Sequence, residues 1–497
     1  MSPSASPAPS APRPPSAPAS SAAPALIRES LRIAGEKVAS SRCLEVRHPY
    51  DGRLIGTVAK ATVEDVKRAL RTAHAFRPAL SRHRRYEILM AARAAIAARS
   101  EELARLITLE SGLCLKDSSH EVGRASDVLL FAANQALIDG GEIFSCDLTA
   151  HGRSRKVYTL REPLLGVITA ITPFNHPLNQ PIHKIAPAIA TNNRVVLKPS
   201  EKTPLTALAL ADILYQSGLP PEMLSVVTGD PAEIAGELLT SPEVDLVTFT
   251  GGVSVGKAIA AKSVYKRQVL ELGGNDPLIV LADADLEEAA ALAAAGSYRN
   301  SGQRCTAVKR MLVEESVADR FVELLLENTR AVRYGDPFDP ASDMGTVIDE
   351  PAARRFETVV NEALSAGAVL AIGNIRRGAL YSPTVLDRVT PDMAVVREET
   401  FGPVSPVIRF KTVDEAIRIA NGTCYGLSSS VCTNRLDLIT RFVKELNVGS
   451  INVREVPGYR LELTPFGGIK DSGLGYKEGV LEAMKSFCNT KTYSLPW

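Results

Sequence analysis

The 497-residue chain has no apolar run approaching the roughly 18 residues needed to cross a bilayer, so no membrane-spanning helix is expected. An excess of either charge is missing too. Lys and Arg number 57 against 56 Asp and Glu, and nucleic acid or an anionic membrane surface is therefore not an expected partner. The seven cysteines are odd in number and scattered, without a CxxC pair. That speaks against a disulfide framework or a thiolate metal site and points to a reducing, cytoplasmic setting. Histidine is absent beyond His183 and no HExxH occurs, so no zinc site is expected. A nucleophile late in the chain then needs a base brought from far upstream, or a carboxylate.

What the chain does contain begins with a Pro/Ala/Ser tract over residues 1–24. Such a tract buries too little surface to offset the entropy of ordering and is expected to be disordered. From 62 to 109 the pattern is helical, with Thr62 and Asp65 at N-cap spacing and an amphipathic alanine-rich stretch over 86–98. Another helix over 118–138 carries Glu121, Arg124 and Asp127. The segments 154–160 and 490–495 alternate as strands and suggest a mutually pairing oligomerisation element. Between 163 and 282, strands at 165–171, 194–197, 224–227, 246–249 and 268–270 alternate with helices at 181–190, 204–215, 232–239 and 255–262. This implies βαβ units in a mostly parallel, doubly wound sheet, whose ligands sit beyond the strand carboxyl ends. A second α/β alternation from about 277 to 454 predicts a second domain, and the junction falls shortly before Cys305.

Cys305 lies in NSGQRCTAVKR, residues 300–310, between a helix over 286–294 and a strand-like run at 311–313. A cysteine at such a junction can reach a ligand and backbone N–H groups, although a free cysteine is more often a buried small hydrophobe. VVLKPSEKTP places Lys198 and Glu201 after a buried strand, where they suit the hydroxyls of an adenosine ribose; Glu201 repels a 2′-phosphate and favours NAD. In FTGGVSVGK, Gly251, Gly252 and Gly256 sit between a strand and a helix N-terminus, a place for a pyrophosphate. ITPFNHPLN offers the Asn175 amide to an oxyanion, and LELGGNDP offers Glu271 as a base before a Gly-Gly kink. EETFGPV supplies a carboxylate and a ring beside a turn, and PFGGIKDSG is a glycine-punctuated loop able to close over a cleft. Each of these, taken singly, also reads as ordinary turn or strand-end chemistry.

Together, in this order and spacing, the motifs resemble the NAD(P)-dependent aldehyde dehydrogenase superfamily over about 27–497. The resemblance implies an α/β fold: a Rossmann-type NAD-binding domain over 25–143 and 163–279, and a second α/β catalytic domain over 280–454. It further implies oligomerisation strands over 144–162 and 486–497, a return segment over 455–485 lining the substrate tunnel, and a homodimer or homotetramer. By resemblance Cys305 is the nucleophile, Asn175 holds the oxyanion, and Glu271 activates the water that hydrolyses the thioester. Lys198, Glu201, Gly251, Gly252, Gly256, Thr172, Pro173 and Phe174 line the cofactor, with Glu399 and Phe401 at the nicotinamide ribose and ring. Gly252 stands where many relatives carry Ser, which removes a phosphate donor. Arg124 and Arg460 fall where the family forms its tunnel. With Arg304 and His176 they suit a compact dianionic aldehyde with phosphate-like oxygens. The competing readings are ion pairing of Arg124 and Arg460 with Glu121 or Glu462, and Arg304 acting only to lower the thiol pKa. Glyceraldehyde 3-phosphate and succinate semialdehyde are rival substrates. A CoA-acylating relative often lacks a base matching Glu271, and a catalytically silent protein of this fold would have no need of Cys305, Glu271 and Asn175 together.

Overall fold

The computed structural model describes residues 26–138, 140–476 and 478–497; the tract over 1–24 lies outside them. Val167–Ile171 and Val195–Lys198, buried throughout, and Val244–Thr250 and Arg267–Glu271, buried toward their carboxyl ends, form a parallel sheet with Leu224–Val226. Burial on both faces is what parallel strands need, and the crossover helices Asn179–Ala190, Leu205–Gln216, Pro231–Thr240 and Val253–Lys262 supply it. Two short N-terminal strands, Leu31–Ile33 and Glu36–Val38, complete the seven-stranded sheet in antiparallel sense.

The helix Val63–Ala75 opens on the expected capping box, with Thr62 and Asp65 bonded reciprocally at 2.8 and 3.2 Å. The helix expected over 118–138 is Leu115–Ala136, three residues earlier at its start. The shift matters, because it places Asp117 in the first turn, buried and bonded to Asn300 on the Cys305 loop.

A second seven-stranded sheet is built from Asp276–Val280, Val308–Glu314, Val404–Phe410, Ser428–Cys432, Ser450–Val453, Thr384–Asp387 and Val369–Ile372. All are parallel but the last. The segments 154–160 and 490–495 pair within the chain: Lys156–Pro163 runs antiparallel to Cys488–Leu495, with the rings of Tyr158 and Tyr493 stacked at 5.1 Å. Ile143–Ser145 adds a third strand.

Register fixes where the two sheets meet. In the first, Ile171 aligns with Lys198 and Phe249, and Thr250 aligns with Glu271, so four strand ends share one edge. In the second, Asp276 aligns with Val308, which puts its amino ends on a common edge. Only four residues separate Glu271 from Asp276, so the carboxyl edge of one sheet faces the amino edge of the other.

Candidate active site

Cys305 sits on a loop with unusual backbone. Asn300 (φ 54°), Ser301 (φ 53°) and Gly302 (φ 72°) are three consecutive left-handed residues after the helix Leu286–Tyr298. Two of them carry side chains, at a cost of about 1–2 kcal/mol each. The surroundings impose this shape. The Asn300 N–H donates to Asp117 Oδ2 at 2.8 Å, the Asn300 side-chain amide reaches the carbonyl of Asn175 at 3.3 Å and the His176 ring, and Ile348 N–H donates to Gln303 Oε1 at 2.9 Å. Gly302 lies so close to the Gly402 carbonyl that a Cβ there would overlap it.

Asn175, directly after the first sheet's edge, donates from Nδ2 to the Gln303 carbonyl at 2.8 Å, two residues before Cys305. Its loop is held by Glu121, whose Oε1 accepts from Leu178 and Asn179 N–H at 2.8 and 2.9 Å and so caps the helix Asn179–Ala190. Glu121 therefore holds the Asn175 loop and faces His176 at 3.5 Å rather than pairing with Arg124. Glu271 is buried at its strand end, and Gly274, three residues on, packs against the Cys305 carbonyl.

Burial pushes the Cys305 thiol up to about 12, with the carboxyls of Asp276, Glu399 and Glu271 adding to the effect; the cation that opposes them is Arg460. The thiol is thus protonated near neutral pH and is not a reactive thiolate at rest. In cofactor-free protein, alkylation of Cys305 by iodoacetamide should accelerate about tenfold per pH unit from pH 7.5 to 10, as the thiolate fraction grows. Mass spectrometry of the Cys305 peptide measures this, and a plateau below pH 9 would contradict it.

The residues expected to hold a dinucleotide gather on the first sheet's carboxyl edge. Lys198 is buried there, its Nζ 3.0 Å from the Pro199 carbonyl and 3.4 Å from Glu201. Gly252 caps the helix Val253–Lys262 without a side chain, and nothing lies within 4 Å of where its Cβ would be. Gly251 N–H is taken by the Glu271 carbonyl, and Gly256 packs on Leu272. The buried Thr172 hydroxyl has no partner among the described residues. Pro173 follows it, and Phe174 meets Phe401 edge-on at 5.9 Å. Glu399 accepts from Gly274 N–H at 3.1 Å. An open helix N-terminus, a ribose-sized carboxylate and lysine pair, and a second carboxylate beside an aromatic ring fit a nicotinamide dinucleotide.

The arginines do not stand free. Arg124 Nε donates to Glu462 Oε1 at 2.5 Å, Arg460 lies 3.7 Å from Glu462 and 3.9 Å over the Phe466 ring, and His183 bonds Glu462 at 2.7 Å. Burial alone would raise the Glu462 carboxyl, but His183, Arg460 and Arg124 hold it well below the carboxylate range. Arg460 Nη1 is buried without a partner among the described residues. Arg304 donates from Nη2 to the Gly296 carbonyl at 2.6 Å, and burial beside Arg299 lowers it to about 10. The pairing of Arg124 and Arg460 with Glu462 is the competing reading given above, whereas the bond of His183 to Glu462 and the loop supports Asp117, Asn300 and Gln303 carry no signal in the sequence. PFGGIKDSG is fastened rather than poised to close: Leu272 N–H donates to the Ser472 carbonyl at 3.0 Å and Lys257 pairs with Asp471 at 2.7 Å.

Among the described residues no cluster of His, Cys, Asp and Glu is placed to hold a metal ion, and no helix is long and apolar enough to cross a membrane.

The aldehyde dehydrogenase family model matches residues 37–493. The chain is 39% identical over 456 residues to 3-sulfolactaldehyde dehydrogenase of Priestia aryabhattai, covering 92% of this chain and 95% of that one. The crystal structure of an NAD-dependent aldehyde dehydrogenase from Sinorhizobium meliloti superposes with a TM-score of 0.90 at 35% identity, covering 95% of each chain. That of a glyceraldehyde-3-phosphate dehydrogenase from Methanocaldococcus jannaschii complexed with NADP does so with a TM-score of 0.88 at 36% identity, covering 92% of this chain and all of that one. With a cysteine, a carboxylate and an amide brought together beside a dinucleotide-shaped edge, the chain belongs to the aldehyde dehydrogenase family and is an NAD(P)-dependent enzyme.

Proposed function

We propose that the chain oxidises phosphonoacetaldehyde to phosphonoacetate in the breakdown of 2-aminoethylphosphonate, with NAD preferred. The observation that carries this is the pair of guanidiniums, Arg124 and Arg460, meeting one carboxylate at Glu462 near Cys305. Two guanidiniums share this one carboxylate, and Arg460 Nη1 has no partner among the described residues, which supports a place for a substrate anion. A phosphonate lies two bonds from the aldehyde carbon, so a short substrate brings its anion beside the nucleophile. GEIFSCDL, ITPFNHPLN, LELGGNDP, SGQRCTAVKR, EVPGYR and SLPW resemble phosphonoacetaldehyde dehydrogenases. Glu201, on the cofactor edge, supports NAD because its charge opposes a 2′-phosphate.

In this reading the Cys305 thiol loses its proton to solvent as its sulfur attacks the aldehyde carbon, and the Asn175 amide with the Cys305 N–H stabilises the oxyanion. The nicotinamide, when bound, supplies the hydride acceptor. Glu271 takes a proton from the water that hydrolyses the Cys305 thioester, releasing the acid. The exposed Ile143, Phe144 and Tyr493 on the small sheet support a homo-oligomer formed through it.

A sulfonate aldehyde is the second reading, favoured by the 39% identity to the sulfolactaldehyde enzyme. NADH formation with phosphonoacetaldehyde, 3-sulfolactaldehyde, glyceraldehyde 3-phosphate and succinate semialdehyde decides between them. No turnover of the first, with brisk turnover of another, rejects the phosphonate assignment. Arg460→Ala is expected to lower kcat/KM for phosphonoacetaldehyde about 10- to 100-fold, from the ~1.5–3 kcal/mol of a hydrogen bond to a charged group. An uncharged aldehyde should be little affected; equal losses on both would make Arg460 a structural partner of Glu462.

A further inference from the structure

Lys309 stands four residues past Cys305, on the strand Val308–Glu314, and has no part in the chemistry above. Its side chain is buried, with 2% of the residue exposed. Among the described residues no carboxylate lies within ion-pair distance of it. A buried ammonium without a paired anion is costly, and a Met or Leu would fill the same space more cheaply. The charge therefore asks for an explanation.

Its contacts supply one. Nζ donates to the Gly302 carbonyl at 2.7 Å and lies 5.0 Å from the centroid of the Phe401 ring. Gly302 is the third residue of the left-handed run that presents Cys305, while Phe401 belongs to the segment carrying Glu399. The same two segments touch through backbone, where Gly302 abuts the Gly402 carbonyl. Glu399 makes a further link, since Gly274, which donates to it, packs on the Cys305 carbonyl. Burial brings Lys309 down to about 8, and the negative charge of Glu399 is the main influence against that. Conversely, burial raises Glu399, and Lys309 is the main influence against that. The lysine is close enough to act on Glu399 and too far to occupy it, which leaves the carboxylate available to hydroxyl groups of a ligand.

We propose that Lys309 is a positioning residue that ties the Glu399–Phe401 segment to the nucleophile's loop, so that cofactor binding sets the reactivity of the Cys305 thiol. A ligand that covers Phe401 and engages Glu399 removes water from these two partly exposed groups, which face the buried ammonium. Both the cation–π contact and the attraction to Glu399 strengthen as the local dielectric falls. The strengthened pull is delivered to the Gly302 carbonyl, three residues from the sulfur. Binding at one place thereby changes the chemistry at another through a charge that touches both.

The test uses no aldehyde, so its result is independent of the substrate assignment. Iodoacetamide alkylation of Cys305 is measured by mass spectrometry of its peptide at pH 7.5, with and without saturating NAD, and calorimetry establishes saturation for each variant. In the wild type NAD should change the rate by about fivefold or more, the lower end of typical coupling between sites. Lys309→Met should reduce that ratio below about twofold, and Lys309→Arg should retain most of it. A purely structural lysine would lower stability without changing the ratio. If Lys309→Met does not fold, Phe401→Leu tests the same tie from its other end and should also bring the ratio below about twofold. The proposal is overturned if the wild type shows no effect of NAD, or if the folded variant keeps the wild-type ratio.

Discussion

Cys305→Ala is expected to abolish aldehyde oxidation, by on the order of 10⁴-fold or more, while the protein stays folded. The size follows from the proposed covalent mechanism, in which no thiohemiacetal forms without the sulfur. The fold should survive because Sγ does not hold the loop. Its shape comes from Asp117 on the Asn300 N–H, Ile348 on Gln303, and Lys309 on the Gly302 carbonyl. Stability should change by about 1 kcal/mol or less, the scale of an ordinary point substitution. NADH absorbance and a thermal melt measure both quantities, and activity above one part in a hundred of wild type would remove Cys305 from its role.

Glu271→Gln should separate the two halves of the reaction. Oxidation needs the thiol and the oxyanion donors, whereas release of the acid needs a water deprotonated at the thioester. The variant should give a rapid burst of NADH, about one per active site, followed by steady turnover reduced about 10²- to 10⁴-fold, the range for loss of a positioned base. Gln fills the volume of Glu, and the backbone of residue 271 keeps its bond to Gly251 N–H and its bridge to Gly473. Stopped-flow absorbance resolves burst from steady state. Undiminished steady turnover would mean that another group activates the water.

Much of this site is legible in the chain because its parts are local motifs. A parallel strand followed by a glycine turn and a helix writes itself into adjacent residues, as in Val244–Thr250, Gly251, Gly252 and Val253–Lys262. The same is true of NSGQRCTAVKR, whose Cys305 is visible beside its turn. Boundaries were less exact. The helix Leu115–Ala136 starts before its apolar periodicity does, because its first turn is anchored by tertiary contacts of Asp117 rather than by a local cap.

The partners of charged side chains were not legible. Arg124 meets Glu462 across 338 residues of chain, and nothing in either neighbourhood distinguishes that pairing from Arg124 with Glu121, one helical turn away. Glu121 instead caps a helix that begins 58 residues later in the chain.

By itself the sequence determined the element types and the order of the motifs, because periodicity and turn chemistry act over a few residues, and the resemblance of those motifs to the family pointed to Cys305, Asn175 and Glu271. Only the tertiary structure decided that two sheets present opposite edges to one another. It alone brought two guanidiniums onto a single carboxylate and left Lys309 between the nucleophile's loop and Phe401. Those outcomes depend on register, and on which buried charge finds which partner when water is excluded, and both are properties of the packed chain as a whole.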